Sequence, residues 1–311
     1  YPFVSTVASG ADEQVILEKI DIGGSSLIRA AAKNYSDVLI VSSMEYYDDL
    51  HQVLEQGNGE TDLSTRKLFA ARAFDTSSHY DTAIFNYFND AKQVPSFKQS
   101  LRGQKSLRYG ENPHQEGGFY GDFTQYFDQI HGKDISYNNL IDIEAAVQLI
   151  EEFDETTFAI LKHNNACGIA SDNVLKSAYL KAFEADTLSA FGGVLATNKE
   201  LDKDTAEEMN SLFFEIIIAP SYEDEALQIL RSKKNRIILT QKRKWKGETQ
   251  FRSMLGGAAV QQSDSKTDEE SVRKYFDQKL ETLSNNSEHR NLEDLLDSYY
   301  SQYQLQMKHQ S

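Results

Sequence analysis

The chain has 311 residues, enough for about two domains, and its 40% hydrophobic content argues against wholesale disorder. A formal net charge of −16 argues against a general nucleic-acid or acidic-membrane binder, although a small anionic substrate needs only a local cluster of cations. No apolar run approaches the roughly 18–20 residues of a membrane span, and the single Cys167 excludes an internal disulfide and any multi-cysteine zinc site, which indicates a reducing cytoplasm.

Residues 1 to about 95 alternate between helical and extended patterns. The chain starts at Tyr1 rather than methionine, inside a strand pattern, and we therefore expect an internal fragment. The strand pattern covers residues 1–4, and an apolar run at 38–41 is typical of a strand buried on both faces. Helical spacing predicts helices at residues 13–20, 25–34 and 64–87.

Residues 90–106 carry proline, glycine, serine and basic side chains without periodicity, which predicts a linker. Residues 107–262 then alternate again and favour a mostly parallel sheet covered by helices. Helices are predicted at residues 141–153 and 173–184, and strands at 157–162, 194–196 and 215–219. Residues 263–311 lack glycine and proline and are rich in charge, which is compatible with amphipathic helices or with loose order.

A first candidate cluster lies at residues 21–34, DIGGSSLIRAAAKN. Paired glycines ahead of a helix let its N-terminus approach an anion, and one of the two serines that follow can cap the helix. Asp21 before the glycines and Lys33 within the helix form a pair suited to proton transfer and carbonyl polarisation. The alternative is a capped helix whose Arg29 and Lys33 form a solvated basic face.

This part of the chain resembles the second half of an inosine-monophosphate cyclohydrolase domain, whose fold is methylglyoxal-synthase-like. The resemblance rests on YPF, IDIGG, RAAAKN and the run LSTRKLFAARAFDTSSHYDTAIFNYF. It implies that Lys33 is a proton donor or acceptor in ring closure. It also implies that the nucleotide pocket is lined by Tyr1, Asp21, Ile22 and Gly23.

A second candidate cluster combines two segments. The segment SLRYGENPHQ contains Arg108 and Tyr109, and an arginine fork suits a phosphate; the alternative is a surface turn with scattered polar residues. In FAILKHNNACGIA, an apolar strand runs directly into Lys162 and His163, and functional groups of open α/β sheets gather at carboxyl ends of strands. A neighbouring lysine disfavours imidazolium and leaves the ring able to accept a proton, although a lone histidine is often structural.

Five strings, LRYGENPHQ, ISYNNLIDIEAA, KHNNACG, SAFGG and IIIAPSYEDEAL, occur in the order found in the aminoimidazole-carboxamide-ribonucleotide transformylase domain. The chain is thereby similar to the bifunctional formyltransferase and cyclohydrolase family of purine biosynthesis. The resemblance implies that His163 removes a proton from the substrate amine and that Lys162 stabilises charge during attack on the formyl group. It further implies substrate contacts from Arg108, Tyr109, the Gly192 backbone and the Glu215 carboxylate.

The resemblance implies an α/β chain: the C-terminal part of a cyclohydrolase domain at 1–92, a linker at 93–106, the first cytidine-deaminase-like half of a transformylase domain at 107–264, and a divergent or non-native tail at 265–311. It also implies 10-formyltetrahydrofolate as co-substrate, a phosphorylated imidazole nucleotide and a homodimer. The zinc signature of cytidine deaminases is missing from the sequence, so we predict no metal.

Residues 233–248 concentrate positive charge around Trp245, and the overall acidity favours a solvated strand pair edged with lysine over a nucleic-acid patch. We therefore expect neither nucleic acid nor membrane as a partner. By the resemblance, each implied site lacks about half of the residues that form it in the family, so we expect no activity from the isolated chain. The alternative function is a non-catalytic binding or scaffold protein that keeps the fold.

Overall fold

The computed structural model describes residues 1–245 and 249–263. They belong to two compact units, Tyr1–Lys244 and a second unit from Trp245 onward. Within the described residues, no helix combines the length and apolar character needed to cross a membrane. The predicted tail at 265–311 lies outside the described residues.

The N-terminal part of the first unit is helical. Its longest helix begins after Asp62, whose side chain accepts the N–H of Thr65 at 2.7 Å as an N-cap, and buries Phe69, Ala73 and Tyr80 at helical spacing. The five helices are α1 (Phe3–Ala8), α2 (Glu13–Leu17), α3 (Gly23–Lys33), α4 (Tyr47–Gln56) and α5 (Leu63–Phe88). The three predicted helices of this region are thus confirmed, with ends shifted by a few residues.

Two predicted strands of this region are wrong. Residues 1–4 run into α1 instead, and Phe3 is buried against the edges of the Tyr80 and Tyr87 rings at 6.0 and 5.8 Å. Residues 38–41 are half-buried and form no strand, because no described strand pairs with them and Ile40 packs against the α3–α5 contact instead.

The linker region carries no helix or strand between α5 and residue 104, yet it is fastened to α5. The guanidinium of Arg102 donates to Asp75 and to Glu45, each at 2.8 Å, and a ring nitrogen of His79 lies 2.8 Å from the Ser100 hydroxyl. Specific side-chain contacts therefore hold this segment along one side of α5.

The described residues from 104 onward contain strands and helices. The strands are β1 (Gln104–Leu107), β2 (Gly117–Tyr120), β3 (Phe127–His131), β4 (Thr157–Lys162), β5 (Asn165–Ser171), β6 (Val194–Thr197), β7 (Ile216–Ala219), β8 (Ile237–Gln241), β9 (Thr249–Met254) and β10 (Gly257–Gln262). The helices are α6 (Tyr137–Ile150), α7 (Leu175–Ala185), α8 (Lys203–Met209) and α9 (Asp224–Leu230). The predicted strand at 157–162 is confirmed at both ends.

Six strands form one mixed sheet in the order β3-β8-β7-β6-β4-β5. Only the β6–β7 and β7–β8 pairs are parallel, so the predicted mostly parallel sheet is wrong. The parallel pairs are those joined through the crossover helices α8 and α9, whereas a short turn joins β4 to β5 and forces them antiparallel.

The basic segment also differs from its prediction. Strand β8 lies between β3 and β7, and its first three residues are buried, so this part of the segment belongs to the core rather than to a solvated strand pair. The second unit contains the antiparallel hairpin of β9 and β10, whose side chains are almost all exposed.

The core lies on both faces of the mixed sheet. Because side chains alternate along a strand, Phe158 and Ile160 join the buried cluster beneath α7, α8 and α9, whereas Ala159 and Leu161 face the side on which α6 contacts β4 and β6. The arrangement has three layers and fixes the strand ends that carry the candidate site.

Candidate active site

A cavity of about 200 Å³ lies at one edge of the mixed sheet. All of the residues predicted for the formyl-transfer site line it, namely Arg108, Tyr109, Lys162, His163, Gly192 and Glu215. The cavity is also lined by charged and amide side chains that the sequence did not single out, among them Lys133, Asn139 and Asp142.

The position of this cavity follows from strand direction. Strand β4 ends at Lys162, and the Leu161–Val194 and Val194–Ile216 pairings set that end beside the beginnings of β6 and β7. Because β4 runs antiparallel to β6, one carboxyl end and two amino ends meet at the same edge. Lys162 therefore lies at the carboxyl end of its strand, as predicted for open α/β sheets. Gly192 and Glu215 instead precede the amino ends of β6 and β7.

The turn between β4 and β5 presents His163. Since Lys162 pairs with Asn165, only His163 and Asn164 form the turn, with φ of 52° and 66°. Two positive φ angles are the requirement of a type I′ hairpin turn, which favours glycine or asparagine. The Nδ2 of Asn165 donates to the His163 carbonyl at 2.8 Å, and Asp142 Oδ1 accepts the N–H of Asn164 at 2.9 Å. The imidazole itself is exposed.

The ammonium of Lys162 reaches across the edge of the sheet. Its Nζ donates to the carbonyl oxygen of Phe191 at 2.8 Å, next to Gly192. Gly192 has a φ of +75°, a conformation that glycine adopts without penalty, and its N–H donates to the Phe213 carbonyl at 2.7 Å. Lys162 and the glycine loop are thus held together at the cavity.

The carboxylate of Glu215 forms an ion pair with Lys133. The Nζ of Lys133 lies 2.8 Å from Oε2, both side chains are 34% exposed, and the Nδ2 of Asn139 donates to the same oxygen at 3.4 Å. Asn139 belongs to the string ISYNNLIDIEAA, which carried the family resemblance without assigning it a role. Lys133 lies in the loop before α6, where no motif signals it.

Asp142, on the second turn of α6, is another carboxylate that lines the cavity, and it lies close to His163. Burial raises the pKa of this carboxyl and Glu215 adds to the rise, whereas the N–H of Asn164 and the charge of His163 act in the opposite direction. No motif in the sequence singles out this aspartate, because its partner in the turn is 22 residues away.

Arg108 and Tyr109 follow β1, at the start of the loop that joins it to β2. The loop is closed by the N–H of Gly110, which donates to the Gln115 carbonyl at 2.8 Å, and the Arg108 guanidinium lies 5.3 Å from the centre of the Tyr109 ring. The Nδ2 of Asn138 donates to the Glu111 carbonyl at 3.2 Å, so α6 holds this loop at the cavity. The loop is therefore more than a free surface turn.

In the first candidate cluster, the glycines and serines lie inside α3 rather than ahead of it. Neither serine caps the helix. Instead Asp21 Oδ2 accepts the N–H of Ser25 at 2.7 Å, while the Asp21 N–H donates to the Tyr80 hydroxyl at 2.7 Å. Asp21 is therefore fixed at the N-terminal end of α3 by two hydrogen bonds.

Tyr1 lies at the same end of α3. Its ring centre is 5.8 Å from that of Tyr80, and a Cβ added to Gly24 would stand 1.5 Å from its hydroxyl oxygen, so only glycine permits this position. Although Tyr1 is 61% exposed, partial desolvation of its phenol and then the neighbouring Asp21 carboxylate raise the pKa of that phenol.

The remaining predicted residues of this cluster are divided between the two ends of α3. Ile22 is 73% exposed, and Gly23 faces open space beside Asp21. Lys33 is exposed in the last turn of α3, roughly 16 Å along the axis from its start. The structure therefore gathers Tyr1, Asp21, Ile22 and Gly23, but it does not bring Lys33 to them. Arg29 donates to the Ser77 hydroxyl at 3.2 Å on α5, so the predicted basic face is only partly solvated.

Among residues 1–245 and 249–263, no group of three or more His, Cys, Asp or Glu side chains could hold a metal ion.

Comparison with known proteins gives concordant matches. A model of the AICARFT/IMPCHase bienzyme family matches residues 31–298, which extends past Asp264. The bifunctional purine biosynthesis protein PurH of Bacteroides thetaiotaomicron is 58% identical over 264 residues, 85% of this chain and 52% of the relative. PurH of Rippkaea orientalis is 42% identical over 298 residues, 91% of this chain and 58% of the relative, and PurH of Caldicellulosiruptor bescii is 40% identical over 279 residues. The chain thus spans about half the length of these relatives.

Proposed function

The chain belongs to the AICARFT/IMPCHase bienzyme family, and we propose that the cavity at Lys162 and His163 is its site for formyl transfer in purine biosynthesis. The acceptor is aminoimidazole-carboxamide ribonucleotide, and the donor is 10-formyltetrahydrofolate. The observation that carries the proposal is that all six residues expected of this site line one cavity, although they come from four separate segments of the chain.

In the proposed reaction the substrate amine nitrogen bonds to the formyl carbon of the donor, and the bond from that carbon to the folate nitrogen then breaks. His163 accepts the amine proton and passes it to the folate nitrogen as that nitrogen leaves, a role for which its exposed imidazole on a fixed turn is suited. The ammonium of Lys162 stabilises the negative charge that develops on the formyl oxygen. To do so it exchanges its hydrogen bond with the Phe191 carbonyl for one to the substrate.

Substrate binding is assigned to the residues around this pair. Arg108 pairs with the ribonucleotide phosphate, for which its planar fork of donors is suited. Tyr109 adds an aromatic contact, Gly192 lets the backbone approach the ligand because no Cβ intervenes, and Glu215 accepts hydrogen bonds from hydroxyl or amine groups.

The finer assignments of fold belong to the same proposal. Residues 107–264 correspond to the first cytidine-deaminase-like half of a transformylase domain, supported by the mixed sheet with helices on both faces. Residues 1–92 correspond to part of a methylglyoxal-synthase-like cyclohydrolase domain, with residues 93–106 as the linker. The complete protein is a homodimer in the cytoplasm.

Ring closure to inosine monophosphate is the second proposed activity, supported by the bifunctional character of the family. Tyr1 and Asp21, which meet at the start of α3, contact the nucleotide together with Ile22 and Gly23. Lys33 acts as proton donor or acceptor. Its distance from that group implies that other walls complete the pocket between the two ends of α3.

The test is a graft in which the 264 matched residues replace their counterparts in the Bacteroides thetaiotaomicron relative. Both activities are measured in the graft and in its His163→Ala variant. Loss of a general base predicts that formyl transfer falls by about 10²–10⁴-fold, whereas ring closure is unchanged. An equal fall in both activities, or none in formyl transfer, would refute the assignment.

The isolated 311-residue chain is assayed in parallel. We expect no turnover from it, and substantial turnover would contradict the requirement for further walls. If the graft binds the ribonucleotide but turns over neither substrate, the chain is a binding or scaffold protein that keeps the fold.

A further inference from the structure

The turn that presents His163 has an unfavourable backbone. Its two residues, His163 and Asn164, both lie in the left-handed region, with φ of 52° and 66°. A Cβ atom disfavours this region, and histidine has one. Such a conformation persists where surrounding contacts over-determine it. The question is which contacts hold this turn.

Within residues 1–245 and 249–263, two side chains hydrogen-bond to the backbone of the turn. Asn165 Nδ2 donates to the His163 carbonyl at 2.8 Å, but Asn165 begins β5 and moves with the turn. Asp142 Oδ1 accepts the N–H of Asn164 at 2.9 Å, and Asp142 belongs to a different element, α6. Of these two contacts, the second ties the turn to a separate element of the fold.

Helix α6 is a firm support for such a contact. It begins with a reciprocal capping box between Ser136 and Asn139, and Ile143 and Ala146 are buried at 2% and 0% exposure against the sheet. Asp142 directly precedes Ile143, so its carboxylate is carried by a packed and capped segment. Because α6 packs against the sheet, the hydrogen bond from Asn164 to Asp142 holds the turn in a fixed position relative to the sheet.

We propose that Asp142 is a positioning residue, which holds the turn at His163 and Asn164 so that the imidazole keeps its place at the cavity. The proposal rests on the proposed role of His163 as proton acceptor. Asp142 acts through the hydrogen bond that it accepts from the Asn164 N–H, and this bond requires an acceptor oxygen.

The first experiment needs no catalytic activity. Amide hydrogen exchange at Asn164 is measured by NMR in the 311-residue chain and in its Asp142→Ala, Asp142→Asn and Glu144→Ala variants. Asp142→Ala removes the acceptor and raises the exchange rate at least about tenfold. Asp142→Asn keeps an oxygen and stays within about threefold, as does Glu144→Ala, which removes an exposed carboxylate two residues along α6. An unchanged rate in Asp142→Ala overturns the proposal.

The second experiment measures formyl transfer in the graft. Misplacing a catalytic group lowers kcat by about 10–100-fold in Asp142→Ala, while KM for the ribonucleotide stays within about twofold. Asp142→Asn restores kcat. A second rescue comes from Asn164→Gly in the Asp142→Ala background, because glycine adopts the left-handed conformation unaided.

Two outcomes overturn the positioning role. If Asp142→Asn is as impaired as Asp142→Ala, the charge of the carboxylate acts on the substrate or on His163. If KM rises and kcat does not fall, Asp142 binds the ribonucleotide. Failure of the proposed function is recognised separately. In that case His163→Ala leaves formyl transfer intact, and this result does not depend on the exchange rate at Asn164. Thermal unfolding of each variant identifies loss of folding, and Asp142→Asn keeps the test decisive in that case.

Discussion

Gly193→Ala provides a sharp test of how tightly the edge of the sheet is packed around Lys162. A Cβ at this position would stand 2.7 Å from the carbonyl oxygen of Leu161 and 3.1 Å from that of Ala190. Both are backbone atoms, so no side chain can rotate away. Reaching an ordinary contact distance of 3.4 Å requires the end of β4 or the glycine loop to move by about 0.7 Å.

The expected cost is that of overpacking a well-packed region, about 1–3 kcal/mol in the free energy of unfolding. Because Leu161 directly precedes Lys162, the same displacement lowers formyl transfer in the graft by about tenfold or more. Urea unfolding of the 311-residue chain measures the first effect, and backbone NMR shifts of residues 161–163 report the movement.

Gly192→Ala is the matched control in the same loop. Its added Cβ would meet nothing nearer than the Phe213 ring at 3.8 Å, but its φ of +75° is unfavourable for alanine. The backbone term alone costs about 1–2 kcal/mol, without displacement of β4. Tight packing at Gly193 is refuted if Gly193→Ala is as stable as the parent chain, or if both variants shift the NMR signal of the Lys162 amide equally.

Three further outcomes are expected. Glu215→Gln weakens ribonucleotide binding to the graft by about tenfold in calorimetry, while unfolding changes by less than about 1 kcal/mol because the ion pair is partly exposed. Gly24→Ala displaces the Tyr1 hydroxyl, so the pKa of that phenol falls back toward its ordinary value. An ultraviolet titration measures this change, and Gly23→Ala is the control that leaves the pKa raised. Burial raises the pKa of the Cys167 thiol, so disulfide reagents react with it at pH 7–8 more slowly than with a model thiol, and unfolding in urea abolishes the difference.

Local patterns in the sequence are sufficient to predict helices that are stabilised by their own residues and strands that are completely buried. The strand Thr157–Lys162 is an uninterrupted apolar run ending in a charge, and the helix Leu63–Phe88 has a capping aspartate and small residues at helical spacing. The run at 38–41 has the same apolar character, yet it forms no strand. Composition does not say whether a partner strand is present, and a strand requires one.

The same local patterns do not predict whether neighbouring strands run parallel or antiparallel. Alternating helices and strands favoured parallel pairing, but the β4–β5 turn has no Asn-Gly or Asp-Gly signal, because His163 and Asn164 occupy it. A turn held by contacts from another element leaves little trace in its own residues. Asp142 supplies that contact from 22 positions away.

The candidate site shows the same division. Residues in compact strings, such as Lys162 with His163, were found from the sequence. Lys133 was missed, since a lone lysine in a polar loop has no distinguishing feature until the fold sets it 2.8 Å from Glu215, 82 positions along the chain. Long-range pairs of this kind require the three-dimensional arrangement of strand ends.

The charge of the cavity explains how an acidic chain binds the proposed anionic substrate. Although the net charge is −16, three carboxylates at the cavity are matched by three cations, namely Arg108, Lys133 and Lys162. Of the three carboxylates, Asp134, Asp142 and Glu215, two have partners at the site. Glu215 is paired with Lys133 and Asp142 accepts a backbone N–H, so neither of these two stands as a free charge beside the phosphate that Arg108 is proposed to bind. A phosphate therefore meets a locally balanced site. At long range the net negative charge repels an anion, so affinity must come from short-range contacts such as the proposed Arg108–phosphate pair.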